Sequence, residues 1–170
     1  LEAIKTFRPS VAVLLNITED HMDRYDSFDS YAKTKLKIFE NQGLDDFAVV
    51  NIKDPVISRL VSKGISKGHL IPFTSCSKIS EGFYLKESSI ACAFDCWEEV
   101  FCMDSIKLKG MHNIENIMAS IATAMICGVD KKDILKAVNS FEGLAHSMEF
   151  VREFKGVTYI HDSKATTVDS

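Results

Sequence analysis

Apolar residues fall in short bursts along this 170-residue chain, and the spacing within each burst changes with position. Val11-Ala12-Val13-Leu14-Leu15 and Phe47-Ala48-Val49-Val50-Asn51 are nearly unbroken runs, the pattern of strands covered on both faces of a parallel sheet. Leu70-Ile71-Pro72-Phe73 predicts a further strand or a strand edge, because proline cannot donate to a ladder. Between the first two runs, Ser27 to Glu40 carries Phe28, Tyr31, Leu36 and Phe39 near one face at helical period. Ser27 or Ser30 is placed to cap that helix and Asn41-Gln42-Gly43 to end it. Asp54-Pro55 starts a short helix with proline in its first turn.

From Gly82 to Met103 the texture changes to short β-type runs: Phe83-Tyr84-Leu85, Ile90 to Phe94, and Val100-Phe101-Cys102. These predict an antiparallel meander, with Trp97 in one of its turns. Asn113 to Ile126 follows as a strongly amphipathic helix on Ile114, Ile117, Met118, Ile121 and Met125, stopped by Gly128. Asp130 is expected to cap a second helix running through Val138. Beyond a linker at Phe141-Glu142-Gly143-Leu144, Phe150–Phe154 and Val157–Ile160 form a hairpin-like pair around Lys155-Gly156. The alternation predicts an α/β fold: a mostly parallel sheet with flanking helices plus a small antiparallel meander. The domain boundary is expected near Gly143, dividing residues 1–143 from 144–170.

A net charge of −4 argues against nucleic acid as the main partner. No apolar run approaches the ~20 residues needed to cross a bilayer, and no stretch reads as a signal peptide. The five cysteines are odd in number and mostly lie in apolar stretches. Cys92, Cys96 and Cys102 lack a fourth zinc ligand at useful spacing, so core or strand cysteines in a reducing compartment, the cytoplasm, are expected. The chain opens at Leu1-Glu2 without an initiating Met and stops in a polar loop, which predicts a piece of a longer protein.

Three polar clusters each follow an apolar segment. The first, Asn16 to Tyr25, holds Glu19, Asp20, His21 and Asp23. Ligands of open α/β sheets sit beyond the carboxyl ends of the strands, so a histidine among carboxylates there suits a metal ion or a substrate clamp; a solvated turn is the plain alternative. The second, Lys107 to Asn116, sets His112, Asn113 and Asn116 at a helix start, where unpaired N–H groups and the positive dipole end suit polar or anionic ligands. Asn113 is equally placed to cap the helix, whereas Asn116 lies one turn in and has less local reason to be an amide. The third, His161 to Thr167, sets Asp162 and Lys164 two apart on a loop, able to meet hydroxyls and a phosphate or simply solvent. Lys35 stands four residues from both Tyr31 and Phe39, on the apolar face of its helix. A lysine there either snorkels or is used, and desolvation would favour its neutral amine.

Six segments, taken in order, resemble the ATP-dependent Mur ligases of bacterial peptidoglycan synthesis. They are Leu1-Glu2; Asn16-Ile17-Thr18-Glu19-Asp20-His21-Met22-Asp23-Arg24-Tyr25; Tyr31-x3-Lys35-x2-Ile38; Leu108-Lys109-Gly110-Met111-His112-Asn113-x2-Asn116; Phe141-Glu142-Gly143-Leu144-x-His146; and Asp162-Ser163-Lys164-Ala165-Thr166. The last is similar to the loop of the D-glutamate-adding branch. The resemblance implies an incomplete central ATPase domain over 1–143 and the start of a Rossmann-like C-terminal domain over 144–170. It also implies ATP and Mg²⁺ as cofactors, UDP-N-acetylmuramoyl-L-alanine and D-glutamate as substrates, and a monomeric cytoplasmic ligase working through an acyl phosphate.

The same resemblance implies roles for single residues. Glu2 and His21 would hold Mg²⁺, and Lys35 matches the lysine that the family carbamylates, turning a cation into an anionic oxygen ligand. Lys35, His21 and Lys164 form the implied catalytic set. Asn113 and Asn116 match adenine contacts, Asp162 a ribose contact, and Lys164 lies by the phosphates. Thr166 matches a contact to incoming D-glutamate, and His21 is also placed to orient substrate. Two positions depart from the family pattern: Ser147 stands where Arg is usual, and Thr167 where Asn is common. No Gly-x4-Gly-Lys-[Ser/Thr] phosphate loop occurs, so this stretch alone is expected not to turn over. A sister ligase, a folylpolyglutamate synthase, or a non-catalytic relative that binds a nucleotide or a partner is the alternative.

Overall fold

The structure, a computed structural model, describes residues 1–19, 22–94, 97–103, 105–108 and 110–165, and for residues 94 and 97–99 the backbone is what it describes. Six strands form one sheet in sequence order: β1 (Val11–Leu14), β2 (Phe47–Asn51), β3 (His69–Thr74), β4 (Gly82–Lys86), β5 (Ser89–Phe94) and β6 (Trp97–Cys102). The first four run parallel, with Val13 opposite Val49 and Val49 opposite Ile71, and β5 and β6 turn antiparallel. A separate two-stranded sheet, β7 (Glu149–Phe154) with β8 (Val157–His161), follows.

Both faces of the parallel part are covered, which is why β1 and β2 read as continuous apolar runs. Successive side chains of a strand point to opposite faces. Val49 therefore joins Ile71, Phe73, Phe83 and Phe101 under helix α3 (Met111–Ile126), whose Ile117, Met118, Ile121 and Ala122 are all buried. Its neighbours Ala48 and Val50 join Ala12, Leu14 and Ile17 on the other face. There they meet Tyr31, Ala32 and Phe39 from the α1 (Phe28–Leu36) region and Ile57 from α2 (Pro55–Val61). Burying a side chain the size of Phe73 or Met118 contributes about 1.5–3 kcal/mol. Helix α4 (Lys131–Ser140) adds Ile134 to the α3 side. Among the described residues no helix is long and apolar enough to cross a membrane.

Capping follows the sequence at two places and departs from it at two others. Ser27 accepts the Ser30 N–H at the head of α1, and Asp54 accepts those of Val56 and Ile57 at the head of α2. Asp130 precedes α4 but makes no side-chain cap. Helix α3 begins at Met111 after Gly110, whose φ of 98° suits glycine, so Asn113 lies inside the helix and is not its cap. The expected single helix over Ser27 to Glu40 ends at Leu36 and tightens into a 3₁₀ turn over Lys37–Phe39, which brings Phe39 into the core at 2% exposure. Trp97 opens β6 opposite Phe94 instead of sitting in a turn, because only two residues connect β5 to β6. Cys92 is buried in β5 and Cys102 ends β6, the core or strand placement expected of them, whereas Cys76 and Cys127 are exposed outside the strands; Cys96 lies outside the described residues. Gly82 is required by contact: a Cβ there would lie 2.1 Å from the Pro72 carbonyl oxygen.

The chain before β1 is held by side chains of the α1–β2 connection. Asn41 donates to the carbonyls of Lys5 and Phe7. Gln42, 2% exposed, donates to those of Pro9 and Phe47 and accepts from Ser66. Arg8 pairs with Asp46 at 2.5 Å, and Asp46 also takes the Gly43 N–H. This polar staple sets the course of residues 1–10, and so the position of Glu2.

Candidate functional site

The carboxyl ends of β1, β2 and β3 and the start of α3 lie on one edge of the sheet, where ligands of such sheets collect. The loop after β1 is anchored there: Ile17 is 3% exposed, and its N–H donates at 2.9 Å to Asp54. One aspartate thus caps α2 and fixes the start of the expected ligand loop. His21 and Asp20 of that loop lie outside the described residues.

Glu2 and Lys35 meet through two tyrosines. The Tyr25 hydroxyl donates to the Glu2 carboxylate at 2.5 Å. The Tyr25 ring packs edge-on against Tyr31 with centroids 5.1 Å apart, and Lys35 Nζ lies 4.9 Å over the Tyr31 ring. Lys37 Nζ also donates to the Glu2 backbone carbonyl at 3.2 Å. The bond from Tyr25 holds the Glu2 carboxyl below the usual glutamate range, with Arg24 assisting. An exposed carboxylate is the hard oxygen donor that Mg²⁺ takes, and Glu2 fits that part. Lys35 is half-buried, and as an ammonium it is no ligand; it fits only if carbamylated. Among the described residues, no three His, Cys, Asp or Glu side chains gather to hold a metal.

At the start of α3, Glu115 receives three side chains from the sheet edge. Lys53 Nζ and Ser75 Oγ each lie 2.6 Å from Oε1, and Asn51 Nδ2 donates to Oε2 at 3.0 Å. Burial pushes the Glu115 carboxyl up, but the bonds from Lys53, Ser75 and Asn51 outweigh it and leave the group below its ordinary value. Asn116 turns toward β1, where it lines an open groove of about 570 Å³ with Val13, Leu15 and Thr123.

The third cluster is drawn together by the chain on either side of the β7–β8 hairpin. Lys164 donates its backbone N–H to the His146 carbonyl at 3.1 Å. The His146 and His161 rings meet edge-on at 5.1 Å, and Ser163 Oγ lies 3.0 Å from His161 Nε2. The loop carrying Asp162 and Lys164 is thereby pinned to the turn carrying His146 and Ser147. Thr166 and Thr167 lie outside the described residues.

Of the expected site residues, Glu2 and Lys35 share one cluster, Asn113 and Asn116 share the head of α3, and Asp162 and Lys164 share a third loop. Reading the sequence singled out neither Tyr25 nor Glu115 for a role. Tyr25 stood within a quoted motif without any sign that its hydroxyl faces Glu2. For Glu115 the available signal was Asn51, a polar residue ending an otherwise apolar strand.

Residues 1–124 match the model of the Mur ligase middle domain. The whole chain is 48% identical to the UDP-N-acetylmuramoylalanine–D-glutamate ligase of Geotalea daltonii and 40% identical to that of Pelotomaculum thermopropionicum, spanning 37% of the length of each. Among solved structures, MurF from Acinetobacter baumannii matches 91% of this chain with 34% of its own at a TM-score of 0.67 and 20% identity. UDP-N-acetylmuramate-alanine ligase MurC from Thermotoga maritima matches 96% of this chain with 36% of its own at 0.63 and 21%. MurF from Thermotoga maritima, crystallised with ADP, matches 91% with 35% at 0.59 and 24%. Through the match over residues 1–124 and this likeness along its full length, the chain belongs to the Mur ligase family.

Proposed function

We propose that the protein carrying this chain is a cytoplasmic, monomeric ATP-dependent ligase that joins D-glutamate to UDP-N-acetylmuramoyl-L-alanine. The observation that carries this reading is the 48% identity over all 170 residues to a ligase of that name. Residues 1–143 serve as part of the central ATPase domain and residues 144–170 open the C-terminal one.

A substrate carboxylate oxygen attacks the γ-phosphorus and ADP leaves; the D-glutamate amine then attacks the acyl carbon, and phosphate leaves with that oxygen. Such chemistry is mostly positioning and charge neutralisation. Glu2, His21 and carbamylated Lys35 would hold Mg²⁺, which when bound neutralises charge on the transferring phosphoryl group. His21 also orients the acid substrate. Asn113 and Asn116 present amides to the adenine edge, Asp162 accepts from a ribose hydroxyl, and Lys164 places its cation by the phosphates. Thr166 contacts the incoming D-glutamate. The hydrogen bond joining Lys164 to His146 supports a common loop assembly for the last group.

The test is a phosphate-release assay on the protein as its gene encodes it, with ATP, Mg²⁺ and UDP-N-acetylmuramoyl-L-alanine. D-glutamate is expected to trigger release, and L-glutamate, L-alanine and meso-diaminopimelate are not. Release with one of those instead would assign the protein to a sister ligase, and no release with any would leave a binding relative, consistent with Ser147 in place of Arg.

A further inference from the structure

We propose that Glu115 is a positioning residue for nucleotide selection: it fixes the rotation of the first turns of α3 and so aims the amides of Asn113 and Asn116. This role depends on the adenine contacts proposed above for those two asparagines. Three side chains from the carboxyl edge of the sheet converge on the one carboxylate. Lys53 and Ser75 share Oε1 at 2.6 Å each, and Asn51 holds Oε2 at 3.0 Å. Asn51 ends β2 and is 3% exposed; its Oδ1 accepts the Lys53 N–H at 3.0 Å, which shapes the turn from which Lys53 reaches back. Ser75 directly follows β3. A single carboxylate therefore ties the second turn of α3 to two adjacent strands.

At the head of α3, Ile114 packs partly buried against the core, and Glu115 supplies the polar anchor to the sheet edge. Gly110 gives the helix no side-chain cap, and Met111 and His112 are exposed. The fully buried residues of the helix begin at Ile117. Successive helical residues are rotated by about 100°, so seating Glu115 on β2 and β3 directs Asn116 toward β1, where it lines the groove beside Leu15. Asn113 lies one turn earlier on the same side. A small rotation of this turn would swing both amides together, and paired donor and acceptor recognition of an adenine edge tolerates little misplacement. Lys53 neutralises the carboxylate, so the anchor adds no net negative charge where a triphosphate would approach.

Substitutions in the protein as its gene encodes it, assayed with ATP and with GTP, test the role. Glu115→Ala is expected to raise the KM for ATP about tenfold and to lower the kcat/KM preference for ATP over GTP about tenfold, with kcat and the D-glutamate KM changed less than about threefold. Glu115→Gln still accepts from Ser75 and Lys53 and is expected to keep most of the preference; Ser75→Ala is expected to lower it slightly. Should Glu115→Ala not fold, Ser75→Ala decides the matter: a lowered preference supports the role and an unchanged one overturns it. An unchanged ATP-over-GTP preference with only a lowered melting temperature would overturn the role, making Glu115 a stability residue. Equal losses with both nucleotides would overturn it too. Wild-type protein without ATP-dependent ligation would refute the function proposed above, whereas an active wild type with an unaffected nucleotide preference in Glu115→Ala and Ser75→Ala refutes this role alone.

Discussion

The Tyr25 hydroxyl donates a 2.5 Å hydrogen bond to Glu2, joining residues 23 apart in the chain. Replacing Tyr25 by Phe removes that donor and keeps the ring that packs on Tyr31. Because the bond depresses the folded-state pKa of Glu2, its contribution to stability is fully present above the unfolded-state value and is lost as pH falls through the folded one. Carbon NMR titration of the Glu2 carboxyl is expected to show a midpoint below that of an ordinary glutamate, moving upward in Tyr25→Phe. An unmoved midpoint would show that Tyr25 does not set it.

Lys35 lies over the Tyr31 ring beside this pair. Lys35→Ala in the protein as its gene encodes it is expected to lower ligase activity about 100-fold or more. Small carboxylates such as formate or acetate, able to occupy the place of a carbamate, are expected to restore part of it. Unchanged turnover would remove Lys35 from the site.

Gln42 is the interior clasp of the segment that places Glu2. Gln42→Leu keeps the bulk but leaves the Pro9 and Phe47 carbonyls and the Ser66 hydroxyl without this partner. A loss of about 2–3 kcal/mol is expected from urea unfolding, since unpaired buried polar groups cost about 1–3 kcal/mol. A loss below about 0.5 kcal/mol would mean that water replaces the amide.

Asp54 couples the cap of α2 to the loop after β1. Asp54→Ala is expected to cost about 1–2 kcal/mol and to speed amide exchange at Ile17 as well as at Val56 and Ile57. Faster exchange confined to the helix would show that the Ile17 contact is not what anchors the loop.

Much of the architecture was legible because it rests on local periodicity. The runs at Val11 and Phe47, the stripe on α3, the Asp54-Pro55 start and the Lys155-Gly156 hairpin each carry their signal within a dozen residues. The site is different in kind. Glu115 draws its partners from 40, 62 and 64 residues away, and no periodicity encodes a hydrogen bond across such a span. Asn41 and Gln42 looked like a helix end, yet their amides staple the segment before β1. Tertiary packing also overrode local pattern where Phe39 turns into the core and breaks α1. Resemblance named Glu2, Lys35, Asn113 and Asn116, whereas the coordinates supplied the Tyr25 and Glu115 contacts that hold two of these places.

Oxygen transfer tests the ligase chemistry most directly. UDP-N-acetylmuramoyl-L-alanine labelled with heavy oxygen in its carboxylate is incubated with the protein as its gene encodes it, ATP, Mg²⁺ and D-glutamate, and the released phosphate is analysed by mass. Activation of the acid by phosphoryl transfer predicts that each phosphate carries one labelled oxygen. Phosphate released without label would contradict the account.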